Sequence, residues 1–339
     1  MCSPKLNKIY VFLSFSLCLI LLISCRFTSY DWEDVDPPGD FFFIHHGTVP
    51  AINTTRNTAI YDNYAFSSDG NGVVAVYNII NSFEPYLISS IELPTNQIVR
   101  KIEVDWRYNL YAAVGNAGVF IINTSNPSYP DIIGDFPHIL ALDLSLQEDY
   151  IAVTDQFGWK LLFLLSSSHL TEINSYYYFD SRQPERILLR GNWVYVVSRN
   201  YLDIFDITNI YNIRLERSFH FYDNIVDFDI INSIASSFIV LATTQNLYYI
   251  NITNPLSASI VSDFGLSLIP RTLRTRNNYL FIGWENRSLS AYRIADVLQV
   301  PSEESRINFS NVVLDIDFRN DLMYFSLGTS GLQIYYYLN

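Results

Sequence analysis

The chain has 339 residues, of which 16% are aromatic and 16% charged, and it carries 25 Tyr and 23 Phe. So few charges beside so many aromatic side chains exclude a disordered polymer, and the lack of Ala/Glu/Lys-rich stretches of helical period excludes an extensively helical one. A formal charge of −13 sets the chain against phosphate backbones and anionic lipid surfaces, so a nucleic-acid partner is not expected.

The first element is an export signal. Lys5 and Lys8 precede an apolar run from Ile9 to Ile23, followed by Ser24-Cys25. Positive flank, short apolar core and small residue are the parts of a secretory signal, and the run is short of the roughly 20 residues a spanning helix needs. Leu22-Ile23-Ser24-Cys25 resembles the lipobox of bacterial lipoproteins, with Ile where Ala or Ser is commoner. That resemblance implies removal of residues 1–24 as a lipoprotein signal peptide and a diacylglycerol on the Cys25 thiol. Cys2 and Cys18 would leave with the signal, so the mature chain could form no internal disulfide. Residues 25–40, the lipidated Cys followed by RFTSYDWEDVDPPGD, read as an acidic tether ending in Pro37-Pro38-Gly39. An arm packed on the following domain is the alternative. The expected location is a cell membrane reached through the lipidated N-terminus. Arg26 in place of Asp after the Cys points to the outer membrane, periplasmic or surface-exposed.

Residues 41–339 repeat. Seven apolar segments recur, starting at 73, 118, 159, 201, 246, 288 and 331, with spacings of 45, 41, 42, 45, 42 and 43 residues. In the clearest unit, 98–104, 109–115, 118–124 and 130–136 read as four short strands, separated by turns rich in Asn, Gly and Pro. A repeat of about 43 residues with four strands per unit predicts an all-β, seven-bladed propeller of four-stranded antiparallel blades. The last unit stops after its third strand, and DFFFIHHGTV (40–49) is expected to close the ring as the missing one. GVFIINTSNPSYPDIIGDF (118–136) resembles the LVIVD repeat, a propeller module. The segments at 201–219 and 246–264 are weaker copies, and 159–179 has lost the Asn-Pro, which predicts a different turn.

The chain holds neither Gly-x-Ser-x-Gly nor His-Glu-x-x-His, so no catalytic residue is assigned. Carboxylates recur in the first strands as Glu103, Asp105, Asp143, Asp227, Asp229, Asp315 and Asp317. Directed into a central channel, Glu103, Asp143, Asp227 and Asp315 would hold a hard cation such as Ca²⁺. Directed at the neighbouring blade, the same acids would accept backbone N–H bonds, and Arg186 and Thr272 at equivalent positions favour that reading. Loops entering the first strands carry His138, Arg182, Asp223, Asn224, Arg271 and Asn311, a candidate face for a ligand or partner. Asp69-Gly70-Asn71-Gly72 reads as a hairpin turn, and His45-His46 is too isolated for a metal site. The function expected is a lipid-anchored, non-enzymatic platform in the cell envelope that binds a protein or glycan without a cofactor. The alternatives are a cation-dependent propeller hydrolase or lyase, and a self-associating structural component; the oligomeric state stays open.

Overall fold

A computed structural model describes residues 42–180, 182–232, 236–294 and 296–338. The signal segment, Cys25 and the tether to residue 40 lie outside the described residues. Seven four-stranded antiparallel sheets follow one another along the chain, so the protein is a seven-bladed β-propeller. Blades 1 to 6 occupy residues 55–92, 101–136, 144–177, 186–220, 225–265 and 270–308. Blade 7 combines residues 315–338 with the strand Phe42–Val49, which pairs antiparallel with Leu332–Leu338. The first and last of the described strands are thereby paired in one sheet, and the open edge of the last blade is covered.

The middle strands of each blade explain the unbroken apolar runs. Asn109–Ala113 and the first four residues of Val119–Asn123 are buried, because both faces of a blade pack against neighbours. Buried apolar side chains of the described residues form seven clusters, one at each blade–blade interface. Phe66, Val76, Leu110 and Ile122 join blades 1 and 2, for example, and each such side chain contributes about 1.5–3 kcal/mol by leaving water.

The repeat motif is a latch between blades. Asn123 Oδ1 accepts the Ser125 N–H and Asn126 Oδ1 the Ser128 N–H, so two successive side chains fold the loop after the third strand. Asn78 and Asn81, Asp206 and Asn209, and Asn251 and Asn254 do the same in three further blades. These loops present carbonyls to the preceding blade. Pro127 O receives Ser89 Oγ at 2.5 Å, Ile210 O receives Asn174 Nδ2 at 3.0 Å, and Ala258 O receives Arg217 Nη2 at 2.9 Å. Blade 3, which lacks the motif, turns differently: Ser166 pairs with His169, leaving a two-residue hairpin between nine-residue strands. Gly134 faces that hairpin so closely that a Cβ would overlap Ser168 O.

Blade 2 has shorter strands than the sequence reading gave it. The first strand of blade 2 is only Lys101–Val104, because Ile98 is drawn off to bridge Asn71 of blade 1. The Asp69–Gly72 segment is a hairpin, with Gly70 and Gly72 at φ of 63° and 77° and Asp69 accepting the Asn53 N–H at 2.7 Å.

Candidate functional site

The inner strands of the blades surround a central cavity of about 540 Å³. At their entrance the pairing slips between Thr55 and Asn57, between Ile225 and Asp227, and between Pro270 and Thr272. Such bulges re-aim the extra residue, here turning Arg56, Val226 and Arg271 into the mouth. From blade 1 to blade 7 the mouth ring reads Arg56, Arg100, Leu142, Glu185, Val226, Arg271 and Leu314. The ring below reads Asn57, Lys101, Asp143, Arg186, Asp227, Thr272 and Asp315. Two residues further along the strands come Glu103, Asp229, Arg274 and Asp317.

The carboxylates join blade to blade. Asp143 Oδ2 accepts the Ile187 N–H at 2.9 Å, Asp227 Oδ2 the Leu273 N–H at 3.0 Å, and Asp315 Oδ2 the Thr58 N–H at 3.1 Å. Asn57 Oδ1 takes the corresponding Ile102 N–H at 2.8 Å. One step deeper, Glu103, Asp229 and Asp317 accept the N–H groups of Leu146, Thr275 and Ile60 at 2.7, 2.7 and 2.9 Å. Of the two uses the sequence left open for these acids, the neighbouring-backbone bond is the one the geometry displays.

Cations interleave with them. Arg274 bridges Asp227 at 3.0 Å and Asp315 at 2.7 Å, and Arg186 approaches Asp227 at 3.7 Å. Burial pushes the Asp227 carboxyl up, but Arg274 and Arg186 outweigh it and hold it below the ordinary value. Burial raises Asp143 despite Arg186 and Lys101, and lifts Glu103 to about 7 against the pull of Lys101. Asp317 rises to about 6 through burial and the charge of Asp315. Lys101 is opposed by burial, yet Asp315 and Glu103 keep it above its usual range. Glu103, Asp143, Asp227 and Asp315 thus stand on blades 2, 3, 5 and 7, Glu103 one layer deeper, within a ring of mixed sign. Among the described residues no group of three or more His, Cys, Asp or Glu side chains is placed to hold a metal.

The loop residues separate into different roles. Arg271 lines the mouth and meets Glu285 at 3.6 Å. Arg182 and Asn224 line a second cavity of about 490 Å³, with Asp180, Ser198 and Tyr201. The Arg182 guanidinium is held there, stacked 4.5 and 4.6 Å from the Tyr178 and Tyr201 rings and bonded to Asp203 at 2.9 and 3.1 Å. Asp203 is fully buried and also accepts Tyr178 Oη at 2.7 Å. His138 is exposed, Asp223 is half-buried, and Asn311 bonds Thr329 Oγ1 at 3.1 Å; these three line neither cavity. Nearby loops of the same face expose Phe157, Phe179 and Tyr222, the last two at 102% and 98%. His45 bonds Thr48, and His46 stacks on Phe83 and bonds Ser82.

The residues that sequence reasoning missed are Arg56, Arg100, Lys101 and Arg274. A signal was present: they occupy the columns one before, at, and two after the repeated acid.

Residues 102–137 and 181–219 match the family model described as the LVIVD repeat, so blades 2 and 4 and their approaches carry that repeat. No curated protein matches the chain. Among solved structures, the computationally designed Ika8 protein superposes with a TM-score of 0.65 at 9% identity, covering 86% of this chain and 99% of that one. Sqt1 of Saccharomyces cerevisiae superposes at 0.61 with 10% identity, covering 88% and 97%. At these identities the likeness concerns the fold alone.

Proposed function

We propose that this chain is a lipid-anchored envelope lipoprotein that presents its propeller as a binding platform, with the partner received at the mouth of the central cavity. One observation carries the reading: the mouth of the central cavity and the second cavity share one end of the blades, with Phe157, Phe179 and Tyr222 exposed there, and the closing strand starts from the other. Val49, paired with Leu332, lies at the mouth end, where Gly328 of the adjoining turn bridges Thr55; Phe42, paired with Leu338, lies at the opposite end. The varied loop residues around a recurring latch suit recognition of a partner.

The test is metabolic labelling of the full chain with radioactive palmitate in a bacterial host. Label that co-migrates with the chain and disappears in Cys25→Ser, together with release of that variant from membranes, is expected. An unlabelled chain, or a Cys25→Ser variant as firmly membrane-bound as the parent, would overturn the anchoring.

A further inference from the structure

We propose that the cavity mouth is a binding site for a small oxyanion, a carboxylate or phosphate on a polar, hydroxyl-rich body; this deepens the platform reading and rests on it. Blades 6, 7, 1 and 2 form one contiguous arc of the ring. That arc contributes Arg271, Arg56 and Arg100 to the mouth, and Thr272, Asn57 and Lys101 below them. Its one acid in these two layers, Asp315, is already bonded to the Thr58 N–H and to Arg274. The mouth's acid, Glu185, stands across the opening on blade 4.

Among the described residues neither Arg56 nor Arg100 makes an ion pair, and Arg56 Nε is buried without a hydrogen-bond partner. The bulge at Arg56 turns its side chain to the mouth, and Arg100 is exposed there beside it. The guanidinium fork matches carboxylate and phosphate oxygens in two-point fashion. A chain with a net charge of −13 has 21 basic residues, and six of them line this cavity. Six carboxylates line the cavity as well, but the arc from blade 6 to blade 2 holds three arginines at the mouth and no mouth acid, so the positive side of the cavity is local to that arc. The volume, about 540 Å³, suits a small molecule, and the ring below alternates donors and acceptors rather than offering apolar walls.

The experiment is isothermal titration of the full chain in detergent, at low salt, with inorganic phosphate and separately with citrate. Saturable one-to-one binding of at least one probe is expected, weakened about tenfold or more in the Arg56→Gln/Arg100→Gln double variant, as for loss of a charged hydrogen bond. Arg190→Gln, at the other end of a blade 4 strand, should bind as the parent does. Binding of phosphate alone assigns a phosphate ester, and binding of citrate alone a carboxylate. If the double variant fails to fold, Arg100→Gln, at an exposed site, replaces it with the same expectation. No heat with either probe at about 10 mM, or equal affinity in a folded variant, would overturn the site. Palmitate labelling is read independently, so loss of the anion site leaves the anchoring reading standing, and the reverse.

Discussion

Replacing Glu103 by Gln should have opposite consequences on the two sides of neutrality. In the folded protein burial raises this carboxyl from 4.5 to about 7 despite Lys101 and the Leu146 N–H. A raised acid makes the folded state bind more protons than the unfolded one between those values. Stability from this group is therefore present at low pH and is lost as pH rises from about 4.5 to 7. The shift of about 2.5 units corresponds to about 3 kcal/mol at pH 8, as an upper limit. Gln keeps a carbonyl to accept the Leu146 N–H and never ionises. At pH 5, where Glu103 is already neutral, the substitution should change the melting temperature little. At pH 8 it should remove the ionisation cost, and for a domain of about 300 residues, about 3 kcal/mol is about 5 °C. Thermal unfolding of parent and variant at both pH values decides the matter. An unchanged difference between the two, or a variant melting lower at pH 8 than at pH 5 relative to the parent, would refute the reasoning. The latter would mean that the ionised Glu103–Lys101 pair stabilises the ring by more than its burial costs.

Four further outcomes follow from the same structure. Arg182→Ala strands the buried Asp203 beside Tyr178, and thermal or urea unfolding should register a loss of about 3 kcal/mol; a change under about 1 kcal/mol would sink this role. Gly118→Ala adds a Cβ against Phe136 O at a φ of 86°, whereas Gly191→Ala, at 58°, meets open space. The first should lower stability well beyond the roughly 1–2 kcal/mol of left-handed strain expected of the second, and equal melting temperatures would contradict the packing. Ile44→Pro removes an N–H and the extended freedom of the closing strand, so Leu332–Leu338 should become an exposed edge; light scattering on mild heating should show association absent from the parent. Ca²⁺ at about 5 mM, or a chelator, should leave the melting temperature unmoved, because the acids of the ring already accept backbone N–H groups; a rise of several degrees would restore the cation reading.

The blade count, the strand order within a blade and the closing segment were legible in the sequence because each follows from local, repeated chemistry. Apolar runs buried on both faces, Asn side chains that fold their own loops, and a last unit short of one strand all recur at a fixed period. The changed turn of blade 3 was legible for the same reason, from the missing Asn-Pro. The direction in which side chains point was not local. Whether Asp143, Asp227 and Asp315 converge on an ion or reach for the next blade depends on the spacing between blades that are about 43 residues apart in sequence. Position shows that Lys101 and Arg186 share the acids' column and that Arg274 stands two residues on, but not which acids they meet, because the partners belong to different repeats and come together only when the ring closes. Arg182 looked like a free loop cation for the same reason. Its true partners, Asp203 and the rings of Tyr178 and Tyr201, lie on either side of a blade boundary. The repeat determined the scaffold, and only the closed ring decided which of its charges are spent on holding it together and which, at Arg56 and Arg100, remain for a ligand.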